Sequence, residues 1–342
     1  MLLTLTEAFA KYAVLRMNQQ KIQTVREKLL DEQYHYQSCG SFQPGKMFND
    51  SKSFCRRIVI TTFSVYYVVV VTASTSVLVK LNKESEKIYF QGNITCHDFL
   101  PYSFVIPFPT PTVASCKYAL VFMDAGSCIL GSFLASYDTT FTSILICVKT
   151  KLQILSEAFK TIRVRALAKL NLPPKSQLEA VDSQLEEILY EEIKHCAKHL
   201  DSLLRVCAET ENIFKYVTLL QMLDSLLVMA SCLFVASLIT QSDPDFFAMA
   251  QYMLSVLTQL LMICYFGNEI TEVSSTLSSS LYQNNWIDCS KRFKQCMIIM
   301  MCRMQKKLSM TIGKFSPLTL NTFLSVVKGS FSYCAVFQQV NK

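Results

Sequence analysis

His195 and His199 stand four residues apart, the spacing that places two metal ligands on one face of a helix. No third or fourth ligand is apparent, and the pair lies in a charged stretch with Glu186, Glu187, Glu191 and Glu192. A solvated helix face accounts for these residues better than a zinc site, so neither a metal nor another cofactor is expected. More informative are charges set in apolar surroundings: Asp124 and Asp138 in one hydrophobic run, Lys328 in another. A lysine at mid-membrane depth costs about 2.5–3.5 kcal/mol on insertion scales, so it marks a wet cavity or a protein-facing surface. The chain has no nucleophile elbow, P-loop, HExxH or Gly-rich dinucleotide loop, and an enzyme is not expected.

The elements around these charges are helices of a membrane protein. Of 342 residues, 51% are hydrophobic and only 17% charged, against roughly 25% charged in soluble domains. Five apolar runs are long enough to cross a bilayer: Ile58–Val79, Tyr118–Val148, Tyr216–Ile239, Phe246–Gly267 and the terminal Ser316–Lys342. Pro317 suits the first turn of the last of these. Between the first two, Asn82–Val113 reads as a loop, because Pro101, Pro107, Pro109 and Pro111 forbid a continuous helix. The second run continues as an amphipathic helix (Leu152, Leu155, Phe159, Ile162) until Pro173-Pro174. A second long charged helix, Ser176–Lys215, leads into the third run. A serine-rich turn then precedes Trp286 and a basic amphipathic helix, Lys291–Lys307, whose Phe293, Ile298, Ile299 and Met300 suit anionic lipid or a neighbouring subunit. Near the start, Ile22, Val25, Leu29 and Leu30 mark a short amphipathic helix. Met1–Met17 is either another such helix or the inner end of a span that begins before the sequence does.

The net charge of +7 is a topology signal rather than a nucleic-acid one. Lys11, Arg16, Lys21, Arg26, Lys28, Lys46, Lys52, Arg56 and Arg57 fall on one side, with the segments Lys149–Arg205 and Lys291–Lys314. Lys80, Lys83, Lys87, Lys117 and Lys342 fall on the other. By the positive-inside rule the N-terminus is cytoplasmic and, after five spans, the C-terminus is outside. The segments are then 1–57 cytoplasmic, 58–148 the first two spans with an extracellular loop, 149–215 cytoplasmic helix, 216–274 two more spans, 275–315 a cytoplasmic anchor helix and 316–342 the terminal span. Asn93-Ile-Thr95 becomes an extracellular glycosylation sequon, whereas Asn49-Asp-Ser51 is inert inside. Fourteen cysteines without CxxC pairs suit buried, reduced thiols. Only Cys96 and Cys116 fall on the oxidising side, where one disulfide is allowed but not required.

The C-terminal third resembles the closing signature of insect odorant receptors. The resemblance rests on Tyr282-Gln-Asn-Asn-Trp286, Lys291-Arg-Phe-Lys294, Met301-Cys-Arg-Met-Gln-Lys306, Pro317-Leu-Thr-Leu-Asn-Thr-Phe323 and Lys328-Gly-Ser-Phe-Ser-Tyr333. Ile193-Lys-His195, Cys264-Tyr-Phe-Gly267 and the Leu100-Pro101 loop leading to a span with an inner aspartate, Asp138, extend it upstream. It is specific after residue 260 and loose before 190. The resemblance implies an all-α polytopic helix bundle of seven helices, N-terminus inside and C-terminus outside, of which about five are present here. They correspond to the family's third to seventh, with Thr4–Arg16 the inner stub of the second. One wall of the family's pocket is then missing, and a partial sequence, a truncated isoform and a non-functional copy are all open readings.

The resemblance also implies a function: an odorant-binding subunit of a ligand-gated, non-selective cation channel, heterotetrameric with a broadly expressed co-receptor. The expected location is the plasma membrane of olfactory sensory neuron dendrites, with membrane lipid as a further partner and no nucleic acid. The last helix lines the pore, with Lys328 in a hydrated vestibule and Val336 and Val340, four apart on one face, as an apolar gate beside Gln339. A ring of lysines opposes cations, and mixed assembly dilutes it. A small, volatile, hydrophobic odorant needs aromatic and aliphatic walls with one or two hydroxyls. The outer halves of the spans supply Val70, Ser74 and Val77, then Tyr118, Phe122 and Ala125, then Phe247, Ala250 and Tyr252; ordinary core or lipid contact is the competing reading for each. A gustatory receptor of the same superfamily is the nearest rival, since Ser332-Tyr333 and Gln339-Val340 fit its closing pattern in part. A transporter, which needs paired intramembrane acids and an internal repeat, is the rival of a different class. A truncated, non-conducting receptor product is the third.

Overall fold

The computed structural model describes residues 2–31, 34–91, 96, 100, 105–171, 183–238 and 244–340. The described residues form a helical bundle in the order α1 (Leu2–Met17), α2 (Gln19–Leu30), α3 (Pro44–Gln91), α4 (Val113–Lys160), α5 (Ile162–Lys169), α6 (Ser183–Leu238), α7 (Pro244–Tyr282), α8 (Lys291–Met304) and α9 (Leu320–Val340). A two-residue antiparallel pair, β1 (Thr311–Ile312) with β2 (Ser316–Pro317), separates the last two helices. Among the described residues, four helices are long and apolar enough to cross a membrane: α3, α4, α6 and α7. The 21 residues of α9 span about 31 Å at 1.5 Å per residue, enough for a hydrocarbon core. Its serines, Lys328 and glutamines keep its apolarity below that of the other four.

Local chemistry explains where the helices start and continue. Thr112 caps α4 by accepting from the Ser115 amide while the Ser115 side chain bonds back to Thr112, a capping box immediately after the proline-rich approach. Ser290 caps α8 in the same way, accepting from the Phe293 amide. The long helices α4 and α6 carry their spans onward as amphipathic rods, and Leu152, Leu155, Phe159 and Ile162 are buried as their spacing predicts. The break in that rod comes at Thr161, ahead of Pro173-Pro174, which lie outside the described residues.

Three expectations are corrected. The loop expected from Asn82 begins later, because α3 runs on to Gln91 in a stretch that holds no proline between Pro44 and Pro101. The serine-rich stretch after Gly267 is helix rather than turn. Its hydroxyls bond carbonyls three or four residues back (Ser275 to Glu272, Ser279 and Ser280 to Thr276), and Ser280 also meets Ser156 of α4 at 2.8 Å. Pro317 is not in the first turn of the last helix but in β2. The Leu318 amide donates to the Met310 carbonyl at 2.7 Å, and a turn through Gly313 and Lys314, both at positive φ, closes the hairpin. Pro317 is paired with Thr311, and the terminal helix starts three residues after it, at Leu320.

The main core runs from the middle of the bundle into the end that carries α2, α5 and the first half of α6, joined by Tyr137, Phe141, Phe214, Phe266 and Phe293. A smaller core at the other end gathers Val77, Leu81, Cys96, Leu100, Cys116, Ala119, Leu120 and Met123. There Cys96 and Cys116 form a disulfide. The first is the basic end of the bundle and the second the disulfide end.

Candidate ligand-binding and pore-facing sites

At the disulfide end α3 and α4 lie antiparallel, and α7 packs against both. Ser74 donates to Asp124 Oδ1 at 2.7 Å, so the aspartate is a cross-helix tie rather than a group turned to a loop or to water. Thr72 donates to Gln251 at 2.6 Å and joins α3 to α7. Tyr252 meets Thr4 of α1 at 2.8 Å. Among the residues expected to line a ligand pocket, Ser74, Val70 and Tyr252 are half-buried between helices, and Val77 is buried in the small core. Tyr118 (71% exposed), Phe122 (46%) and Phe247 (67%) are open, as are Ala125 and Ala250. The chain on its own thus brings together a polar seam of Ser74, Asp124, Thr72 and Gln251 and leaves an aromatic rim uncovered. Phe108, from the proline-rich segment, reaches Phe122 edge-on at 6.2 Å between ring centres.

Deeper in the bundle, about 21 Å along α4 from Asp124 at 1.5 Å per residue, Asp138 is fully buried. It accepts from Lys11 Nζ at 2.7 Å, from Tyr66 Oη at 2.8 Å and from Gln259 Nε2 at 2.9 Å. Lys11 also meets Glu7 at 2.7 Å, and its ammonium lies 5.2 Å from the Tyr137 ring centre. Asp224 of α6 is buried facing Glu7. One knot of side chains therefore joins α1, α3, α4, α6 and α7. Lys11 belongs to this knot inside the bundle, not with the other basic residues of the N-terminal segment, because an ammonium so enclosed needs carboxylates that only the bundle interior offers. Sequence reasoning had singled out Asp138 but missed Lys11, Tyr66 and Gln259. The signal was a lysine within the apolar stretch Met1–Met17, opposite an aspartate in a span.

The terminal helix shows two unlike faces. Ser330 and Cys334 are buried, Gly329 sits against Leu226 of α6, and Phe337 meets Phe234 at 6.1 Å. The opposite face carries Asn321, Ser325, Lys328, Ser332, Val336 and Gln339, all exposed. At 3.6 residues per turn these six fall within about a quarter turn of one another. The side chain of Val340 is outside the described residues, as is Asn93.

The basic end holds His195 and His199, and the face expected to be solvated is so only in part: Glu187 and Glu191 are exposed, whereas His199 and Glu192 are not. His199 is buried, stacked on Tyr34 at 4.7 Å between ring centres, and hydrogen-bonded through Nδ1 to Tyr36 Oη at 2.9 Å. Burial pushes the Tyr36 phenol well above its ordinary range. Glu192 is likewise buried, paired with Arg165 and Lys169, and the Arg165 guanidinium lies 4.8 Å from the Tyr36 ring centre. Among the described residues no cluster of His, Cys, Asp and Glu is arranged to hold a metal ion. The segment between α2 and α3 is what covers this face, and periodicity within α6 alone could not reveal it. In α8, Phe293 and Met300 turn inward while Ile298 and Ile299 are exposed.

A bundle of apolar helices with a basic end, a buried charge knot and a terminal helix polar on its uncovered face describes an all-helical membrane receptor or channel subunit. The family model for the 7tm odorant receptors matches residues 1–331, and the chain belongs to that family. It is similar to odorant receptor 46a, isoform B, of Drosophila melanogaster, with 28% identity over 221 residues, covering 63% of this chain and 52% of that receptor. It is also similar to odorant receptor Or1 of Anopheles gambiae, 24% identical over 240 residues, covering 65% of this chain and 56% of the other. The chain thus spans about half the length of these relatives. Among solved structures, the insect olfactory receptor OR5 of Machilis hrabei in complex with eugenol shares the fold at a TM-score of 0.76 and 15% identity, covering 99% of this chain and 80% of that one. These relatives are receptors, not enzymes, and the match gives no support to the gustatory alternative.

Proposed function

We propose that this chain is an odorant-binding subunit of a heteromeric, ligand-gated, non-selective cation channel, assembled with a co-receptor of the same family in the plasma membrane of olfactory neuron dendrites. The observation that carries the reading is the uncovered polar face of α9. A membrane-spanning helix that turns Asn321, Ser325, Lys328, Ser332 and Gln339 away from its own bundle needs water or other subunits there, since lipid tails satisfy none of these groups. A ring of such faces around a central axis makes a hydrated conduit, with Val336 and Val340 as its apolar constriction.

Odorant binding is assigned to the disulfide end, where Val70, Ser74 and Tyr252 border the polar seam and Tyr118, Phe122, Ala125, Phe247 and Ala250 offer an apolar rim. The basic end is assigned to the cytoplasm. In support, Lys and Arg concentrate there, and the Cys96–Cys116 disulfide at the opposite end suits an oxidising compartment. Asn93 then faces outside.

The test is cation current in cells expressing this chain with the family co-receptor, screened against volatile compounds. Odorant-evoked current whose cation permeability shifts on Lys328→Glu supports the reading. Silence with surface expression confirmed defeats it, and current indifferent to Lys328→Glu removes α9 from the pore.

A further inference from the structure

Twelve free cysteines lie among the described residues. Cys55 of α3 and Cys147 of α4 differ from the rest in lying beside each other at the basic end. Neighbouring contacts set that register independently. One turn before Cys55, Ser51 accepts from Thr150 at 3.0 Å. Next to it, the Phe48 ring has Lys52 Nζ at 4.7 Å and Lys151 Nζ at 4.9 Å from its centre. Because α3 and α4 are antiparallel, a turn forward from Ser51 to Cys55 meets a turn back from Thr150 to Cys147. The same register brings Tyr66 to Asp138 and Tyr67 to Ser132 farther along. The two thiols are therefore paired by the packing of the whole hairpin. Both are half-buried, unlike Cys196, Cys207 and Cys264, which are sealed in the core. Lys52 and Lys151 set positive charge beside the pair, which assists formation of a thiolate.

We propose that Cys55 and Cys147 form an oxidisable dithiol, a modification site at which a peroxide joins α3 to α4 through a disulfide. The Cys55 thiolate, its proton released to solvent, attacks one peroxide oxygen. The O–O bond breaks, leaving a Cys55 sulfenic acid and a hydroxide that takes up a proton to become water. The Cys147 sulfur then attacks the Cys55 sulfur, the S–O bond breaks, and the oxygen leaves as water with the Cys147 proton. In sum, two thiols lose two electrons and hydrogen peroxide is reduced to two waters. The sulfurs close to about 2.05 Å, and the α3–α4 hairpin, already bridged by Cys96–Cys116 at one end, becomes bridged at the other. On the orientation proposed above, the pair faces the reducing cytoplasm and rests as thiols. The reaction itself does not depend on that orientation.

The experiment uses the full chain purified in detergent, where sidedness plays no part. It is exposed to hydrogen peroxide while folded, blocked with N-ethylmaleimide in denaturant, digested and mapped by tandem mass spectrometry. The expected product is a linked peptide pair holding Cys55 and Cys147, with two fewer alkylated thiols per chain and full reversal by dithiothreitol. Cys55→Ser and Cys147→Ser, each eluting as the unaltered chain on gel filtration, should leave the remaining partner alkylated. The proposal is overturned if both cysteines stay alkylated at a peroxide dose that oxidises the exposed Cys302. A link from Cys55 to any other cysteine overturns it equally.

Discussion

At the scale of single residues the decisive feature is the enclosed Lys11. Its ammonium is fully buried and compensated by Asp138 and Glu7, with Tyr66 and Gln259 completing the bonds to Asp138. Removing one partner of a buried ion pair strands the other charge, at a cost of about 3–5 kcal/mol, whereas removing both relieves most of that penalty. Lys11→Met should therefore lower the thermal midpoint sharply, and Lys11→Met combined with Asp138→Asn should recover a large part of it. Exposure of buried thiols to a fluorogenic maleimide on heating measures both; a double variant no better than the single one would show that the aspartate does not depend on Lys11. Tyr36 illustrates a smaller effect. Its hydroxyl reaches a buried histidine, so Tyr36→Phe should cost about 1 kcal/mol in the same assay. The charges in apolar runs were visible in the residues themselves. Their pairing was not, since Lys11 and Asp138 meet across 127 positions of chain.

At the scale of elements, close approach and covalent ties set the stability. A side chain added at Gly267 would place its Cβ 2.5 Å from the Leu318 carbonyl oxygen, a backbone atom that cannot swing aside. Gly267→Ala should separate α7 from the segment leading into α9 and destabilise by about 1–3 kcal/mol, the range for overpacking. A midpoint unchanged from wild type would mean that the α7 contact yields freely. Cys96 and Cys116, 20 positions apart, close a loop between α3 and α4. Bridges of that size contribute about 3 kcal/mol, so dithiothreitol should lower the midpoint of the unaltered chain and leave the Cys96→Ser, Cys116→Ser double variant unmoved. Helix periods, the capping residues Thr112 and Ser290 and the apolar runs were readable locally. The serine run of α7 and the displaced Pro317 were misread because a serine-rich string carries no period, and a hairpin pinned by Leu318 and Met310 depends on contacts outside its own stretch.

At the scale of the molecule, the two ends differ in chemistry. One carries the disulfide and an open aromatic rim; the other carries most of the basic residues and the histidine–tyrosine cluster. If the disulfide end is extracellular, Asn93 is accessible to glycosylation. The chain made in insect cells should then lose mass on treatment with an N-glycosidase, and Asn93→Gln should remove the shift. A glycan retained in Asn93→Gln and lost in Asn49→Gln would invert the orientation.

By itself the sequence determined the class of protein: apolar runs of bilayer length, one-sided basic charge and a C-terminal signature are local or additive properties that survive without coordinates. It also determined that α9 is amphipathic, because a polar stripe follows from spacing alone. Only the tertiary structure decided which face of α9 the bundle leaves open, that Lys11 lies inside rather than among the other basic residues of the N-terminal segment, and that His199 and Glu192 are buried. Burial and pairing depend on which distant segment arrives to cover a side chain, and that is settled by packing between helices rather than by the pattern within one.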